Sequence, residues 1–278
     1  SEYLQEYHSL TLSREYVRQL QIAEGLWKPK RRKSGRYYPR RPRRSCVGEL
    51  VQIDGSIHDW LEGRGPRMCL IAYVDDATSR ILVARFVEAE SVVSYMKTLW
   101  EYLERYGRPR GLYSDKHGIF RQNFVDVRER GELTQFGRAV AKLDIELICA
   151  HSPQAKGRVE RCFGTLQDRL VKELRLNKVK SMEEANRVLP RFLERYNDKF
   201  GVSSGSTEDA HRPLADGTDL SRILATSFRR KLAKDLSFQC RNLVYQVKAP
   251  HNANRLRHKE VQILETLDGR MFVETLEG

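Results

Sequence analysis

Seven consecutive apolar residues, Met68-Cys69-Leu70-Ile71-Ala72-Tyr73-Val74, constrain this chain more than any other stretch. A run this short with no polar face reads as a deeply buried strand. Strand-like segments stand on either side of it: Glu49-Leu50-Val51-Gln52-Ile53-Asp54 before and Ile81-Leu82-Val83-Ala84-Arg85-Phe86-Val87 after. Between the second and third strands, Asp75-Asp76-Ala77-Thr78-Ser79 supplies a turn. Val92, Met96, Leu99, Leu103 and Tyr106 then recur at helical spacing and predict an amphipathic helix over 91–106. After Gly107 and Pro109, the short strand Gly111-Leu112-Tyr113-Ser114 delivers Asp115. A helix around 133–143, a strand at 145–150, a long helix from about 154 to 175 after Pro153, and a further helix over 183–197 complete the series.

Three strands, then helix, strand, helix, strand, helix, helix is the plan of an α/β domain of ribonuclease-H-like form, a mixed five-stranded sheet with flanking helices, here over residues 47–200. The flanks differ from it. Residues 1–27 are polar and helical, with Ser13 placed as an N-cap before Arg14-Glu15-Tyr16-Val17-Arg18-Gln19-Leu20. Val17, Leu20 and Ile22 could form an apolar face with Arg14 and Arg18 outward, as in the last helix of a helix-turn-helix. Residues 201–229 read as a linker and 230–278 as a small β-barrel, in which Val261–Leu267 and Arg270–Leu276 flank Asp268-Gly269, a two-residue hairpin signal.

Charge narrows the class of partner. Fifty Lys and Arg against 37 Asp and Glu give a formal net charge of +13, which favours a polyanion. Ten of the seventeen residues from Lys28 to Arg44 are basic, none is acidic, and three are proline. A segment like this cannot form a core, so residues 28–46 are expected to be an extended arm along nucleic-acid phosphates, through Lys30, Arg31, Arg32, Lys33, Arg36, Arg40, Arg41, Arg43 and Arg44. The five cysteines show no C-x-x-C pair or zinc spacing and read as reduced thiols of a cytoplasmic protein. No stretch reaches the length needed to span a bilayer.

Three acids lie at the edges of apolar elements, where a bare charge is unfavourable without a partner or a purpose. Asp54 interrupts the first strand, Asp115 ends the fourth, and Glu160 follows Val159 on the helical stripe continued by Phe163 and Leu166. If the first and fourth strands are neighbours and the long helix crosses their ends, the three carboxylates converge. A cluster of that kind suits two divalent cations acting on an in-line displacement at phosphorus. Taken singly, each acid fits an ordinary turn or helix surface equally well.

The segments Gln52-Ile53-Asp54-Gly55-Ser56, Tyr113-Ser114-Asp115 and Ser152-Pro153-Gln154-Ala155-Lys156-Gly157-Arg158-Val159-Glu160-Arg161 resemble the three catalytic motifs of the DDE transposases and retroviral-type integrases. Within that superfamily the resemblance is closest to bacterial insertion-sequence transposases of the ISNCY type. It implies a ribonuclease-H-like core, Asp54, Asp115 and Glu160 as catalytic metal ligands, two Mg2+ ions with Mn2+ able to substitute, and cleavage of DNA ends followed by strand transfer. It further implies double-stranded DNA as element end and target, a homo-oligomer on that DNA, and a nucleoid-associated place in a bacterial cytoplasm; a helper ATPase would leave no trace in such a chain. Lys156, Arg158 and Arg161 at the start of the Glu160 helix are expected to meet DNA phosphate. Two departures from the pattern stand out. Forty-four residues intervene between Asp115 and Glu160, more than is familiar in retroviral integrases, which predicts an extra loop around 120–135. The His and Cys pairs of a retroviral amino-terminal zinc domain are absent.

Other signals lead elsewhere. Gly201-x-Ser203-x-Gly205 matches a hydrolase nucleophile elbow, yet a helix and not a strand precedes it. Asp75 and Asp76 suit the turn, His58, His117 and His151 suit supporting positions, and Asp59 and Glu62 suit the surface. The competing functions are a ribonuclease-H-like nuclease or resolvase that hydrolyses only, and a domesticated DNA-binding protein that no longer cuts.

Overall fold

The computed structural model describes residues 1–28, 41–122, 132–149, 157–248 and 253–276. It divides into two units, Ser1–Pro39 and Arg40–Gly278. The first contains α1 (Glu2–His8) and α2 (Arg14–Ala23). Ser13 caps α2 as the sequence predicts, its hydroxyl accepting from Tyr16 N at 3.1 Å. Neither helix buries a residue, and Tyr16, Leu20 and Ile22 are exposed. The expected helix-turn-helix is thus seen only as two short helices without a core of their own.

The second unit is built on a five-stranded sheet of β1 (Leu50–His58), β2 (Met68–Asp75), β3 (Ile81–Val87), β4 (Gly111–Ser114) and β5 (Glu146–Cys149), in the order β3-β2-β1-β4-β5. The first three strands form an antiparallel meander; β1 pairs with β4, and β4 with β5, in parallel. One face carries α3 (Val92–Tyr106) and α4 (Gln135–Lys142), the other α5 (Gly157–Leu176) and α6 (Met182–Phe200). The alternation of β2 explains its unbroken apolar run. Cys69, Ile71 and Tyr73 enter the core under α3 and α4, whereas Met68, Leu70, Ala72 and Val74 enter the core under α5 and α6.

The open edge of the sheet at β3 is closed by side chains of α6. Asn197 accepts from Ile81 N at 2.8 Å and donates to Ile81 O at 2.9 Å, and Asn186 repeats the pattern at Phe86 with 2.8 and 3.0 Å. These amides satisfy backbone groups that would otherwise invite another strand.

Of residues 201–229, expected as a linker, the stretch 201–225 runs back along the core. Val202 N donates to Thr78 O, Ser206 N to Ser45 O and Ala210 N to Val47 O, and Arg108 and Arg212 form a bridge in both directions. The short helix α7 (Leu220–Ile223) places Leu220 and Leu224 in the core beneath α3. Beyond it lie two small antiparallel sheets: β6 (Thr226–Lys231), β9 (Glu260–Glu265) and β10 (Met271–Thr275) in the order β10-β9-β6, and the hairpin β7 (Ser237–Cys240) and β8 (Leu243–Gln246). They share one core that includes Leu232, Phe238, Cys240, Val261 and Ile263. Among the described residues no strand joins the two sheets into a closed barrel, because β7 and β8 pair only with each other. Their tight turn at Arg241-Asn242 has positive φ at both residues. The hairpin expected at Asp268-Gly269 forms, but with a three-residue loop. Thr266 N donates to Arg270 O, Gly269 N donates to Thr266 O, and of the loop residues only Gly269 has positive φ.

Candidate active site

Parallel pairing of β1 and β4 fixes the first two acids. Leu50 is partnered with Gly111, Val51 with Leu112 and Gln52 with Tyr113. Continued by two residues beyond the printed pairs, to just past the end of β4, that register would set Asp54 opposite Asp115. Asp115 lies one residue past the end of β4 and turns the chain there, its carboxylate accepting from His117 N at 2.9 Å.

One face of β1 is crossed by α5, and two side-chain contacts locate the crossing. Gln52, two residues before Asp54, accepts from Val159 N at 3.2 Å through Oε1. Ser56, two residues after Asp54, accepts from Gln167 Nε2 at 3.1 Å through its hydroxyl. Asp54 therefore lies under the helix between these contacts. Glu160 adjoins the first contact and, at 3.6 residues per turn, shares a stripe with Gln167 seven residues on. Its side chain is exposed in the first turn of α5. Among the described residues no three His, Cys, Asp or Glu side chains come close enough to hold one metal ion together.

Asp76 is the residue that sequence reasoning missed. It is fully buried, and its Oδ1 accepts from Gln52 Nε2 at 2.8 Å, from Arg158 Nη1 at 2.7 Å and from the Arg41 guanidinium, while Oδ2 accepts from Arg44 N at 2.9 Å. Gln52 thus links the strand of Asp54 to the helix of Glu160 and is itself held by Asp76. Neighbouring Asp75 has the turn role the sequence predicts, accepting from Thr78 N and Oγ1 at 2.8 and 2.6 Å and from Gly48 N at 3.0 Å. Burial pushes the Asp75 carboxyl above its ordinary range, against these donors.

Glu90 was also not anticipated. A Cβ on Gly55 would stand 3.1 Å from the Glu90 carboxyl carbon, and Glu90 accepts from Tyr95 Oη at 2.7 Å. Burial, then the charge of Glu90, and to a smaller extent that of Asp54, push the Cys69 thiol up to about 12. Nothing in the segment Glu88-Ala89-Glu90-Ser91 distinguishes this acid from one beginning a helix.

The basic residues fall into three groups. Lys156 and the arm residues Lys30, Arg31, Arg32, Lys33, Arg36 and Arg40 lie outside the described residues, as do His151 and most of the loop expected at 120–135. Arg41, Arg43, Arg44 and Arg158 are engaged by other residues of the second unit. Arg158 is only 10% exposed and ion-paired with Asp76, Arg43 donates to Asp76 O, Ala77 O and Ser79 Oγ, and Arg44 pairs with Glu49 at 3.4 Å. Burial pulls the Arg158 guanidinium below its ordinary value, opposed by Asp76 and reinforced by Arg41, Arg43 and Arg161. Arg14, Arg18 and Arg161 form the third group. Arg14 and Arg161 are exposed, whereas Arg18 is bound to Glu15 and lies over the Trp27 ring at 5.4 Å. Of the residues set aside in the sequence, His58 packs edge-on against Trp60, Asp59 accepts from Gly63 N at 3.0 Å, and Glu62 pairs with Arg64 and Arg175.

Two known proteins are similar in sequence to this chain, one of them over nearly its whole length. The Sinorhizobium fredii (strain NBRC 101917 / NGR234) protein described as "Putative transposase y4bF" is 42% identical over 276 residues, 99% of this chain and 58% of that protein. The chain is a homologue of transposases. The transposase for insertion sequence IS1202 of Streptococcus pneumoniae is 37% identical over 191 residues, 67% of this chain and 40% of that protein. The chain thus spans about half the length of the curated relatives it matches. No protein-family model matches it. Likeness to solved structures is weaker. A chain of the simian T-cell lymphotropic virus intasome aligns at 17% identity and TM-score 0.47 over 88% of this chain and 83% of that one. The HTLV-2 integrase catalytic core in its dimeric form with magnesium aligns at 17% and 0.41 over 59% and 96%. These scores are too low for a fold to be drawn from them. Among the described residues no helix is long and apolar enough to cross a membrane.

Proposed function

We propose that this chain cleaves DNA ends and transfers the strands to a target, the reaction of DNA transposition, with Asp54, Asp115 and Glu160 as its catalytic carboxylates. The observation that supports the proposal is the parallel pairing of β1 with β4, whose continuation would set Asp54 next to Asp115 on the side of the sheet crossed by the helix bearing Glu160. The homologous transposases supply the reaction class. All three side chains offer carboxylate oxygens, the donors that Mg2+ prefers, so the set fits two such ions. When bound, Mg2+ would activate the attacking hydroxyl and stabilise the leaving oxygen at phosphorus.

The chain's own residues hold the substrate in place. Asp54 is positioned by contacts two residues to either side of it, and Asp115 by the His117 amide. Arg161, Arg14, Lys156 and the arm from Lys30 to Arg40 are assigned to DNA phosphates, while Arg41 and Arg158 hold the domain together through Asp76. Joining two DNA ends calls for at least two protomers.

The test is an in-vitro reaction of the purified protein with labelled DNA from the borders of its gene and a plasmid target, in Mg2+. Joined products from the wild type, lost in Asp54→Asn, Asp115→Asn and Glu160→Gln, support the assignment. Nicking without joining would identify a nuclease, and joining that survives Glu160→Gln would remove Glu160 from the site.

A further inference from the structure

On the side of α5 away from Glu160 lies a polar pocket of 220 Å³ lined by Arg43, Arg158, Arg161, Ser79, Thr165 and Tyr196, with Cys162 at its floor. None of these residues is acidic. Residues 158, 161, 162 and 165 form one helical stripe, whereas Glu160, Gly164 and Gln167 form another, roughly 140° away around the axis at 3.6 residues per turn. The pocket is therefore distinct from the catalytic face.

Among the described residues its charges are only partly balanced by acids. The charges of Arg41, Arg43 and Arg161 all act on the Arg158 guanidinium, whose ion-pair partner is the carboxylate of Asp76. That carboxylate is already used by Arg41, Arg158, Gln52 and the Arg44 amide. Arg43 donates only to two carbonyls and a hydroxyl, and Arg161 Nε donates to Gly157 O at 2.7 Å; neither forms an ion pair with a described acid. Arginine clusters with hydroxyl groups beside them are suited to phosphate oxygens. At about 30 Å³ per water, the volume holds a phosphate group with several waters.

We propose that this pocket binds a backbone phosphate of DNA other than the one being cut, so that α5 engages DNA on two sides. The assignment rests on DNA being the substrate, and its test needs no catalysis. Affinity for a duplex oligonucleotide is measured against salt concentration for the wild type, Arg161→Gln, the pocket-filling and charge-conserving Thr165→Met, and Lys172→Gln. Lys172 lies on the same helix outside the pocket, paired with Asp168 at 2.6 Å. Arg161→Gln is expected to reduce the slope of log K against log salt by about 0.9, one phosphate contact. Thr165→Met is expected to weaken binding roughly tenfold without removing a charge, the equivalent of one charge-assisted hydrogen bond. Lys172→Gln should leave the slope nearly unchanged. A wild-type affinity and slope in both pocket variants, or an equal effect of Lys172→Gln and Arg161→Gln, overturns the pocket while leaving DNA as substrate. A wild type that binds no duplex at all overturns both. If inorganic phosphate raises the wild-type melting temperature but neither pocket variant alters DNA binding, the site takes a free anion and the DNA assignment falls.

Discussion

Replacing Asp76 with Asn removes one negative charge from beneath two arginines, and the structure sets the size of the effect. Asp76 is fully buried and Arg158 is 10% exposed, whereas Arg41 is 32% exposed and partly solvated. Removing one member of a buried pair costs about 3–5 kcal/mol, chiefly through the charge left behind. Arg158 is the charge that cannot reach water, so the lower end, about 3 kcal/mol, is expected. Against a total stability of about 5–15 kcal/mol, the variant still folds. Urea unfolding gives the stability of Asp76→Asn, Arg158→Met and the double variant. If the loss reflects a stranded guanidinium, the double variant should recover much of it, a coupling of about 1–3 kcal/mol. Additive losses, or less than 1 kcal/mol for Asp76→Asn, would refute the network as an energetic unit. The same substitution loosens Gln52, which ties α5 to β1. Strand transfer should then fall about a hundredfold, the scale of a misplacement near 1 Å.

Four further predictions follow from local geometry and burial. Gly55→Ala places a Cβ 2.9 Å from Tyr95 Oη and 3.1 Å from Cys69 Sγ, so it should cost about 1–3 kcal/mol in thermal unfolding; a neutral result would mean that this wall yields. Asn197→Ala strands Ile81 N and O at the sheet edge and should cost about 2 kcal/mol, with increased self-association in sedimentation; an unchanged melting temperature would show that water replaces the amide. Burial raises Cys69 to about 12 and Cys162 to about 11 from an ordinary 9.0, so near pH 8 iodoacetamide should label half-buried Cys46 and Cys149 first, as mapped by peptide mass spectrometry. The stability associated with these raised thiols is full below pH 9.0 and erodes as pH rises through the folded values, so denaturant midpoints should fall in alkali; a flat profile between 9.0 and about 12 would contradict the shifts.

Local pattern carried the sheet and its helices because every strand of the core has a one- or two-sided apolar signature. The strand Met68–Val74, the helix over 91–106 and the place of Asp115 at the end of its strand could all be read from spacing. The end of β1 was less legible: it extends to His58, four residues beyond the expected end, because pairing with β2 overrides the polar Gly55-Ser56. Residues 201–225 look like a linker because many of their ties to the core are backbone hydrogen bonds, and the few apolar anchors, Leu214, Leu220 and Leu224, make no sustained hydrophobic period. The strand pairing of the region expected as a small β-barrel was illegible for a related reason. Short strands with turn signals predict hairpins, but which hairpin pairs with which is decided by contacts distant in sequence. Asp76 was illegible on the same ground, since Arg41 and Arg158 lie 35 and 82 residues from it.

The three acids are held in place by different means, and this has a consequence for catalysis. Asp54 and Asp115 are fixed by strand register, which cannot slip by one residue without turning the apolar faces of β1 and β4 outward. Glu160 has no such constraint. It stands in the first turn of α5, and its place relative to Asp54 depends on how the helix is seated on β1. Two contacts near that turn provide the seating: Val159 N on Gln52, and Arg158 on Asp76. Anything that competes for Arg158 or Arg41 therefore acts on Glu160 before it acts on the other two acids. A DNA phosphate in the adjoining arginine pocket would relieve the repulsion among those guanidinium groups and tighten the same seating, so substrate binding and completion of the carboxylate trio would be one coupled event. Under the proposed function, Asp76→Asn should then lose more in joining than in DNA binding, and the deficit in joining should narrow when saturating DNA restores the helix.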